Sequence, residues 1–376
     1  MNDRKYTIYE GIGLMRILIL ANNDVGLYKF RKEVMEALVK DNKVYACLPN
    51  GDMISMIEEL GVKFIQNEFD RHGINPISEI KHYLQYKKVI KKLKPDIVFT
   101  YTVKPNIFGG AACASMKVPY VVNVTGLGTA VENPGFMQKI MIPMYKFGIR
   151  KAQKVFFQNT ENREFMLSRN MVNGEHDILP GSGVNLSQYH VYEYPNSDTV
   201  DFLFVARVMK EKGINQYLEA AEHITKKNPH TRFHICGACE PEYSGNIEEL
   251  QKKGIVIYHG LVKDMAKMYE MASCTVHPTY YPEGLSNVLL ESSACGRPII
   301  TTNRSGCREV IDDGINGYVV REKDSADLIE KIEKFLQLSV EERKAMGLAG
   351  RSKVEKEFDR QIVVEKYLLE VKAVRK

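Results

Sequence analysis

Residues 16–21, RILILA, and residues 201–206, DFLFVA, are two short apolar runs that each open a series of similar runs along the chain. Such runs, separated by stretches with helical spacing of apolar residues, are typical of buried parallel strands in βαβ units. The later runs of the first series are residues 44–48, 62–65, 96–100 and 120–124, and those of the second are residues 233–236, 256–259, 274–277 and 298–302. The sequence therefore predicts two doubly wound α/β domains in tandem.

The segment between the two series predicts where one domain ends and the next begins. Residues 179–196, LPGSGVNLSQYHVYEYPN, are rich in Pro, Gly, Ser and Asn and are interpreted as a linker. We place the first domain at residues 15–183 and the second at residues 197–358, and interpret residues 1–14 as an extension. The last stretch, residues 340–376, is charged and helical in period, so we expect it to pack as a helix on one of the domains.

The composition of the 376 residues, 44% apolar and 26% charged, is that of an ordinary globular protein and excludes disorder, collagen and coiled coil. No stretch approaches the ~18 apolar residues of a membrane span, and no secretory signal is recognisable. Seven scattered cysteines fit a reducing compartment. We therefore expect the protein to work in the cytoplasm.

The net charge of +5 is unevenly divided along the chain. Residues 1–180 carry 25 basic and 18 acidic residues, whereas the remaining residues carry 27 and 29. A basic first domain predicts contact with a polyanion: an anionic membrane, a lipid diphosphate or a nucleic acid.

The glycines that follow the predicted strands do not form a dinucleotide fingerprint. Only Gly26 follows the first strand, and Gly126 and Gly128 are followed by Val131 where a third glycine would stand. No Walker A sequence and no Asp-x-Asp pair occurs in the chain. Hydride transfer and P-loop chemistry are therefore not expected, and neither is a cofactor or a required divalent metal.

Residues 282–291, PEGLSNVLLE, form a candidate diphosphate site after a predicted strand. Ser286 or Asn287 can cap a helix that runs to about residue 295, which leaves the backbone N–H groups of Gly284 and Leu285 at the helix N-terminus. Because a helix N-terminus carries partial positive charge, it suits a diphosphate.

Four charged side chains surround this candidate site. Glu283 lies just outside the predicted helix and Glu291 inside it, where carboxylates can accept hydrogen bonds from sugar hydroxyls. Arg207 and Lys212 follow the first strand of the second domain and are expected to face the same crevice. These two cations can neutralise a leaving diphosphate, a role that Mg²⁺ has elsewhere. The alternative is that the glutamates are only a helix-start acid and a solvated helix residue.

With this combination of Arg207, Lys212 and Glu283-x₇-Glu291, the chain resembles the GT-B retaining glycosyltransferases of family 4, from Met15 onward. The resemblance implies two Rossmann-like domains facing a central cleft, with the acceptor on the first domain and a nucleotide sugar on the second. It also implies a catalytic role for Glu283 at the donor sugar and for Arg207 and Lys212 at the donor diphosphate. Glu291 would take the ribose hydroxyls.

The resemblance extends to the loops of both domains. It implies that Gly26 lies in a glycine loop under the donor and that a helix at about residues 360–376 packs back on the first domain. Gly237, after a strand, is interpreted as opening a donor-side loop. Many family members have His where this chain has Thr125, a position that is expected to face the donor sugar, so the identity of the sugar is not carried over.

Residues 100–106, TYTVKPN, and 123–128, NVTGLG, are similar to a bacterial subgroup of the family that extends polyprenyl-diphosphate-linked sugars. The subgroup includes the N-acetylgalactosaminyltransferases of N-glycan assembly and enzymes of capsule and lipopolysaccharide synthesis. The similarity implies transfer of a hexose or N-acetylhexosamine, with retention, from a UDP-sugar to a lipid-linked saccharide acceptor.

A run without acidic residues, 133–160, mixes cationic and apolar side chains in the first domain. This pattern indicates an interfacial helix that holds the domain on the inner face of an anionic membrane, without spanning it. The candidate acceptor or membrane contacts are Lys104, Lys139, Lys146 and Arg150, and residues 81–94 add further lysines. The alternative is a core-packed helix with a solvated basic edge.

Two other functions remain open at this point. A UDP-N-acetylglucosamine 2-epimerase shares the two-domain fold and would isomerise its donor without an acceptor. A non-enzymatic membrane or nucleic-acid adaptor would explain the basic half. We favour the transferase without nucleic acid as a partner, because an adaptor does not require the charged site in the other domain.

Overall fold

The computed structural model describes residues 14–67, 76–128, 131 and 135–375, and contains two parallel β-sheets. The predicted extension, residues 1–14, lies outside the described residues except for Leu14. The first sheet has the order β3-β2-β1-β4-β5-β6-β7 and the second the order β10-β9-β8-β11-β12-β13. In chain order the strands are β1 Met15–Leu20, β2 Asn42–Leu48, β3 Lys63–Gln66, β4 Ile97–Tyr101, β5 Tyr120–Val124, β6 Lys154–Phe157, β7 Glu175–Ile178, β8 Val200–Val205, β9 Thr231–Cys236, β10 Ile257–Tyr258, β11 Cys274–His277, β12 Ile299–Thr302 and β13 Gly317–Val320.

Helices cover both faces of each sheet, which confirms the prediction of two doubly wound domains. A π-helical turn at Pro105–Gly109 leads into α4, and a 3₁₀ turn at Lys210–Lys212 follows β8. The α-helices are α1 Asp24–Val39, α2 Ile54–Glu59, α3 Pro76–Leu93, α4 Gly110–Met116, α5 Phe136–Ile149, α6 Thr160–Ser168, α7 Ile214–Lys227, α8 Pro241–Lys252, α9 Met265–Met271, α10 Asn287–Ala294, α11 Ser325–Leu336, α12 Val340–Glu357 and α13 Arg360–Arg375.

The strands have apolar side chains on both faces because each sheet lies between two helical layers. In β8, Phe202 and Phe204 pack into one core and Leu203 packs into the core on the opposite face. This explains why the central strands appear in the sequence as continuous apolar runs.

Three strands, β6, β7 and β13, were not predicted from the sequence. Each has only four residues, and β7, EHDI, is an edge strand whose first two residues are exposed. The basic run at residues 133–160 is therefore not one helix, since α5 ends at Ile149 and β6 begins at Lys154.

The chain crosses between the domains twice, and the two crossings are adjacent. Val184, in the predicted linker, forms a parallel bridge with Asp359, between α12 and α13. Helix α13 then packs on the first domain, where Val363 and Tyr367 enter the core. The final predicted helix is thus two helices, one on each domain.

Candidate active site

A cleft of about 520 Å³ lies between the two domains. On the first domain it is lined by residues that follow β1, β4, β5 and β6, and on the second by residues that end or follow β8 and β11. These are the carboxyl ends of parallel strands, where open α/β sheets bind ligands. The predicted site residues that line the cleft are Gly26, Thr125, Arg207, Lys212, Glu283, Gly284, Leu285, Ser286 and Asn287.

The backbone of the loop that carries Glu283 contacts residues of the first domain, which hold the loop in place. Asn159, the N-cap of α6, donates hydrogen bonds from its side-chain amide to the carbonyls of Glu283, at 3.1 Å, and Gly284, at 2.6 Å. Gly284 lies so close to Thr125 and Gln158 that a Cβ at this position would overlap both residues. The position of Glu283 therefore depends on the contact between the domains.

Helix α10 begins in the cleft, as the sequence predicted. Ser286 is its N-cap, but the Ser286 side chain makes no capping hydrogen bond. The hydroxyl of Ser286 and the side-chain carbonyl of Asn287 are buried without a partner among the described residues. Because the first N–H groups of a helix have no partner within it, this end of α10 presents polar groups and partial positive charge to a ligand.

Lys212 and Glu283 form an ion pair at the same end of the cleft, with about one sixth of each side chain exposed. The 3₁₀ turn places Lys212 there because Gly213, at φ +78°, packs against the Pro278 carbonyl where a Cβ would not fit. The Lys212 ammonium also lies 4.6 Å from the centre of the Tyr281 ring.

Burial lowers the pKa of Lys212 to about 8. The adjacent Glu283 carboxylate acts in the opposite sense, because it favours the charged ammonium. The ammonium is therefore charged at neutral pH and can stabilise an anion in the cleft.

Two further basic residues of the second domain line the cleft, Arg207 and His277. Arg207 is largely exposed, with one guanidinium nitrogen 3.6 Å from the Glu240 carboxylate. His277, at the end of β11, is buried, and burial together with Lys212 lowers its pKa to about 3. His277 is therefore a neutral hydrogen-bonding group, whereas Arg207 adds positive charge.

Two residues predicted to contact the donor are not among the residues that line the cleft. Glu291 accepts a hydrogen bond from the Tyr269 hydroxyl at 3.0 Å, and burial raises its pKa to about 7. Gly237, at φ +145°, packs against the Ala206 carbonyl, and a Cβ would overlap it. The structure therefore gives Gly237 a role in the close approach of two strand ends.

Gly26 also differs from the expectation, since it lies within a helix. Gly26 lies in the first turn of α1, where its N–H donates to the Asn23 side chain at 2.6 Å, and not in a loop before the helix. The candidate acceptor or membrane contacts lie outside the cleft, and three of them are exposed on or next to α5; the four are Lys104, Lys139, Lys146 and Arg150.

Sequence reasoning missed several residues on the first domain's side of the cleft. Arg31 is buried on α1, Tyr101 ends β4, and Thr102 follows with a left-handed backbone at φ +70°. A β-branched residue in this conformation is an outlier of the kind found at functional sites. The rule that ligands bind at the carboxyl ends of parallel strands could have identified Tyr101 and Thr102.

The described residues contain neither a cluster of metal-ligating side chains nor a membrane-spanning helix. No group of three or more His, Cys, Asp or Glu side chains in the described part of the chain is arranged to hold a metal ion. Among the helices described, none is both long and apolar enough to cross a membrane.

Two family models match adjoining parts of the chain. "Glycosyl transferase 4-like" matches residues 16–159, and "Glycosyl transferases group 1" matches residues 192–353. Among curated proteins, the N,N'-diacetylbacillosaminyl-diphospho-undecaprenol alpha-1,3-N-acetylgalactosaminyltransferase of Campylobacter jejuni is 28% identical over 94% of this chain and 97% of its own. The UDP-Gal:alpha-D-GlcNAc-diphosphoundecaprenol alpha-1,3-galactosyltransferase of Escherichia coli is 23% identical over 76% and 78%.

Solved structures show the same fold over nearly the whole chain. A glycosyltransferase from Rickettsia africae has a TM-score of 0.80 at 18% identity and covers 97% of this chain and 99% of its own. Anabaena Alr3699/HepE, in complex with UDP and glucose, has a TM-score of 0.75 at 14% identity and covers 96% and 99%. Because glycosyltransferase families match both of its domains and glycosyltransferase structures share their arrangement, the chain is an enzyme that belongs to the GT-B glycosyltransferases.

Proposed function

We propose that this enzyme transfers a hexose or N-acetylhexosamine from a UDP-sugar to a polyprenyl-diphosphate-linked saccharide, with retention at the anomeric carbon, in surface glycan synthesis. The observation that carries the proposal is the Lys212–Glu283 pair at the N-terminus of α10, within a cleft between two domains. The relatives support the substrate class, since the Campylobacter and Escherichia enzymes are named for undecaprenyl-diphosphate-linked acceptors.

The charges in the cleft suit departure of a diphosphate. Lys212, Arg207 and the N-terminus of α10 lie on the second domain, where they would stabilise the negative charge that develops on the leaving group. Glu283 would accept hydrogen bonds from the hydroxyls of the donor sugar. We propose that these cations act in place of a divalent metal ion.

The same geometry favours retention without a covalent intermediate. Glu283 is the one carboxylate among the described residues that line the cleft, and it is paired with Lys212. The bond between the anomeric carbon and the diphosphate oxygen breaks, and its electron pair leaves with the diphosphate. The acceptor oxygen then bonds to the same face of the carbon, while the acceptor's proton passes to the departing phosphate oxygen.

A lipid-linked acceptor requires the first domain to approach a membrane, and one surface of that domain suits this contact. The exposed face of α5 carries Phe136 and Phe147, which are 77% and 53% exposed, beside Lys139, Lys146 and Arg150. Each cation near an anionic leaflet contributes about 1 kcal/mol. We therefore propose peripheral attachment at the inner face of the membrane through α5.

The apolar side of this surface is smaller than the sequence suggested. Two of the apolar residues of α5, Met141 and Met144, pack against the core of the first domain and are not available to a membrane. Helix α3 packs into the same core as α5 and carries the exposed apolar residues Ile80 and Leu84. The membrane surface thus consists of a few large apolar side chains among cations.

Vesicle sedimentation tests the membrane contact. We expect binding to phosphatidylglycerol vesicles at low salt and release at high salt, and loss of binding in the fourfold variant Lys139→Glu, Lys146→Glu, Arg150→Glu and Lys151→Glu. A matched variant on the second domain carries Lys226→Glu, Lys252→Glu, Lys263→Glu and Lys267→Glu, all at exposed positions. Equal loss in both variants, or equal binding to neutral vesicles, would contradict the α5 surface.

A coupled assay for nucleotide release tests the transfer itself. We expect UDP to be released from one of UDP-N-acetylglucosamine, UDP-N-acetylgalactosamine, UDP-galactose or UDP-glucose at a rate that rises when a lipid-diphosphate-linked saccharide is added. Release that is independent of every acceptor, or isomerisation of the donor alone, would refute the proposal and favour an epimerase.

A further inference from the structure

Arg31 is a buried arginine on the first domain's wall of the cleft. It lies on α1, is 3% exposed and lines the cleft. One of its terminal nitrogens donates to the Phe30 carbonyl at 2.7 Å, while its Nε has no hydrogen-bond partner among the described residues. Its guanidinium carbon lies 5.2 Å from the centre of the Tyr101 ring. The side chain is therefore held in place without a counter-charge.

The other buried arginines of the described residues have hydrogen-bond or ion-pair partners of a kind that Arg31 lacks. Arg297 donates to backbone carbonyls, among them those of Tyr269, Glu193 and Glu270. Arg360 forms an ion pair with the Glu33 carboxylate at 2.8 Å, in addition to bonds to carbonyls. Arg343 donates to two carbonyls at the end of α11. In the described part of the chain, Arg31 alone of these four borders the cleft, and no carboxylate pairs with it.

A buried cation without a counter-charge is costly, since its hydration is lost and nothing replaces it. An anion brought by a ligand would restore the balance and would gain a charge-assisted hydrogen bond. The Tyr101 hydroxyl is buried beside Arg31 and the Tyr367 side chain and would offer the ligand a second donor. Both groups indicate an anionic ligand at this wall.

We propose that Arg31 recognises the diphosphate of the acceptor, an inference that rests on the proposed function. The cleft would hold two diphosphates in one complex, one on the donor and one on the acceptor. The donor diphosphate is served by Arg207, Lys212 and α10 on the second domain. On the opposite wall, Arg31 is the one charged residue among the described lining residues of the first domain. Arg31 would thus select acceptors that carry a diphosphate.

The test compares two acceptors with the same sugar and the same lipid, one with a diphosphate and one without: an N-acetylhexosamine linked to farnesyl diphosphate, and the same sugar as a neutral farnesyl glycoside. For Arg31→Gln we expect KM for the diphosphate acceptor to rise at least tenfold, with KM for the neutral acceptor and the affinity for UDP unchanged within twofold. Arg31→Lys should recover part of the loss, because it keeps the charge. Lys32→Ala, an exposed neighbour on α1, is the matched control and should behave as wild type.

The outcomes separate the inference from the proposed function. Equal losses on both acceptors would show that Arg31 only supports the fold, and a loss of UDP affinity would place it at the donor; either result overturns the inference. A wild-type enzyme that uses acceptors but does not prefer the diphosphate also overturns it, even if Arg31→Gln fails to fold. A wild-type enzyme that uses no lipid-linked acceptor would instead refute the proposed function.

Discussion

Replacing Gly284 by alanine is expected to disable the enzyme while leaving its two domains folded. A Cβ at Gly284 would lie 2.9 Å from the Thr125 carbonyl carbon and closer still to the carbonyl oxygen and to the Gln158 side chain. The Gln158 side chain can rotate away. The Thr125 carbonyl is backbone at the end of β5 and cannot, so the loop that carries Glu283 must withdraw.

The size of this displacement follows from the contact distances. Ordinary Cβ contacts begin at about 3.4 Å, so the 2.9 Å separation from Thr125 must lengthen to that value and the shorter separations by more. A misplacement of about 1 Å at a reacting centre costs on the order of 10²-fold in rate. Overpacking of this kind destabilises by about 1–3 kcal/mol. We expect kcat to fall about 10²-fold with a small loss in Tm.

Gly245→Ala is the matched control for this change. Gly245 lies in α8 with no atom within 4 Å of the added Cβ. Alanine in a helix interior is favoured over glycine by about 1 kcal/mol, so this variant should keep its activity and gain stability. Transfer rates and thermal melts of both variants decide the matter. Wild-type kcat in Gly284→Ala would refute the argument that the contact between the domains positions Glu283.

Four further predictions concern the charged groups. Lys212→Ala and Glu283→Ala should each lower kcat by ~10²–10³ with little change in Tm. Because the pair acts as one unit, the fold-decrease in kcat of the double variant should be far smaller than the product of the two single fold-decreases. A decrease equal to that product would show that the two residues act separately. In wild type, kcat/KM should fall as the pH rises past about 8, where Lys212 loses its proton. This alkaline decrease in kcat/KM should be absent in Lys212→Arg. If the decrease persists in the variant, another group causes it. In the folded state the pKa of Glu291 is raised from 4.5 to about 7, so protonation of this carboxyl stabilises the fold. The Tm of wild type should therefore decline, relative to the Tm of Glu291→Gln, as the pH rises from about 4.5 to 7. If the two Tm values change in parallel with pH, the carboxyl is in water. Activity should survive EDTA, and a loss restored by Mg²⁺ would show that Arg207 and Lys212 do not suffice for the diphosphate.

The central strands and the start of α10 could be predicted from the sequence because their signals are local. A run such as DFLFVA is buried on both faces, and Ser286 precedes a helical pattern. Strands β6 and β7 escaped prediction because four-residue strands carry little periodicity and their pairing depends on neighbours distant in sequence. Their existence follows only from the assembled sheet.

The site was predictable on the second domain and not on the first. Arg207, Lys212 and Glu283 each follow a strand that is recognisable in the sequence of the second domain, whereas the bonds from Asn159 to the Glu283 loop join two domains and residues more than 120 positions apart. Arg31 carries no sequence signal, since it stands in an amphipathic helix with other cations, and only its burial distinguishes it. The position of Glu291 in the predicted helix does not indicate that the Tyr269 hydroxyl contacts its carboxylate.

Transfer of labelled sugar to a lipid is the direct test of the proposed reaction. The enzyme is incubated with UDP-sugars labelled in the sugar and with an undecaprenyl-diphosphate-linked saccharide, and the organic-extractable product is isolated and its new linkage read by NMR. We expect label in the lipid fraction, joined through the same anomeric configuration as in the donor. Label that remains in water-soluble sugar, or a lipid product with the inverted configuration, would contradict it.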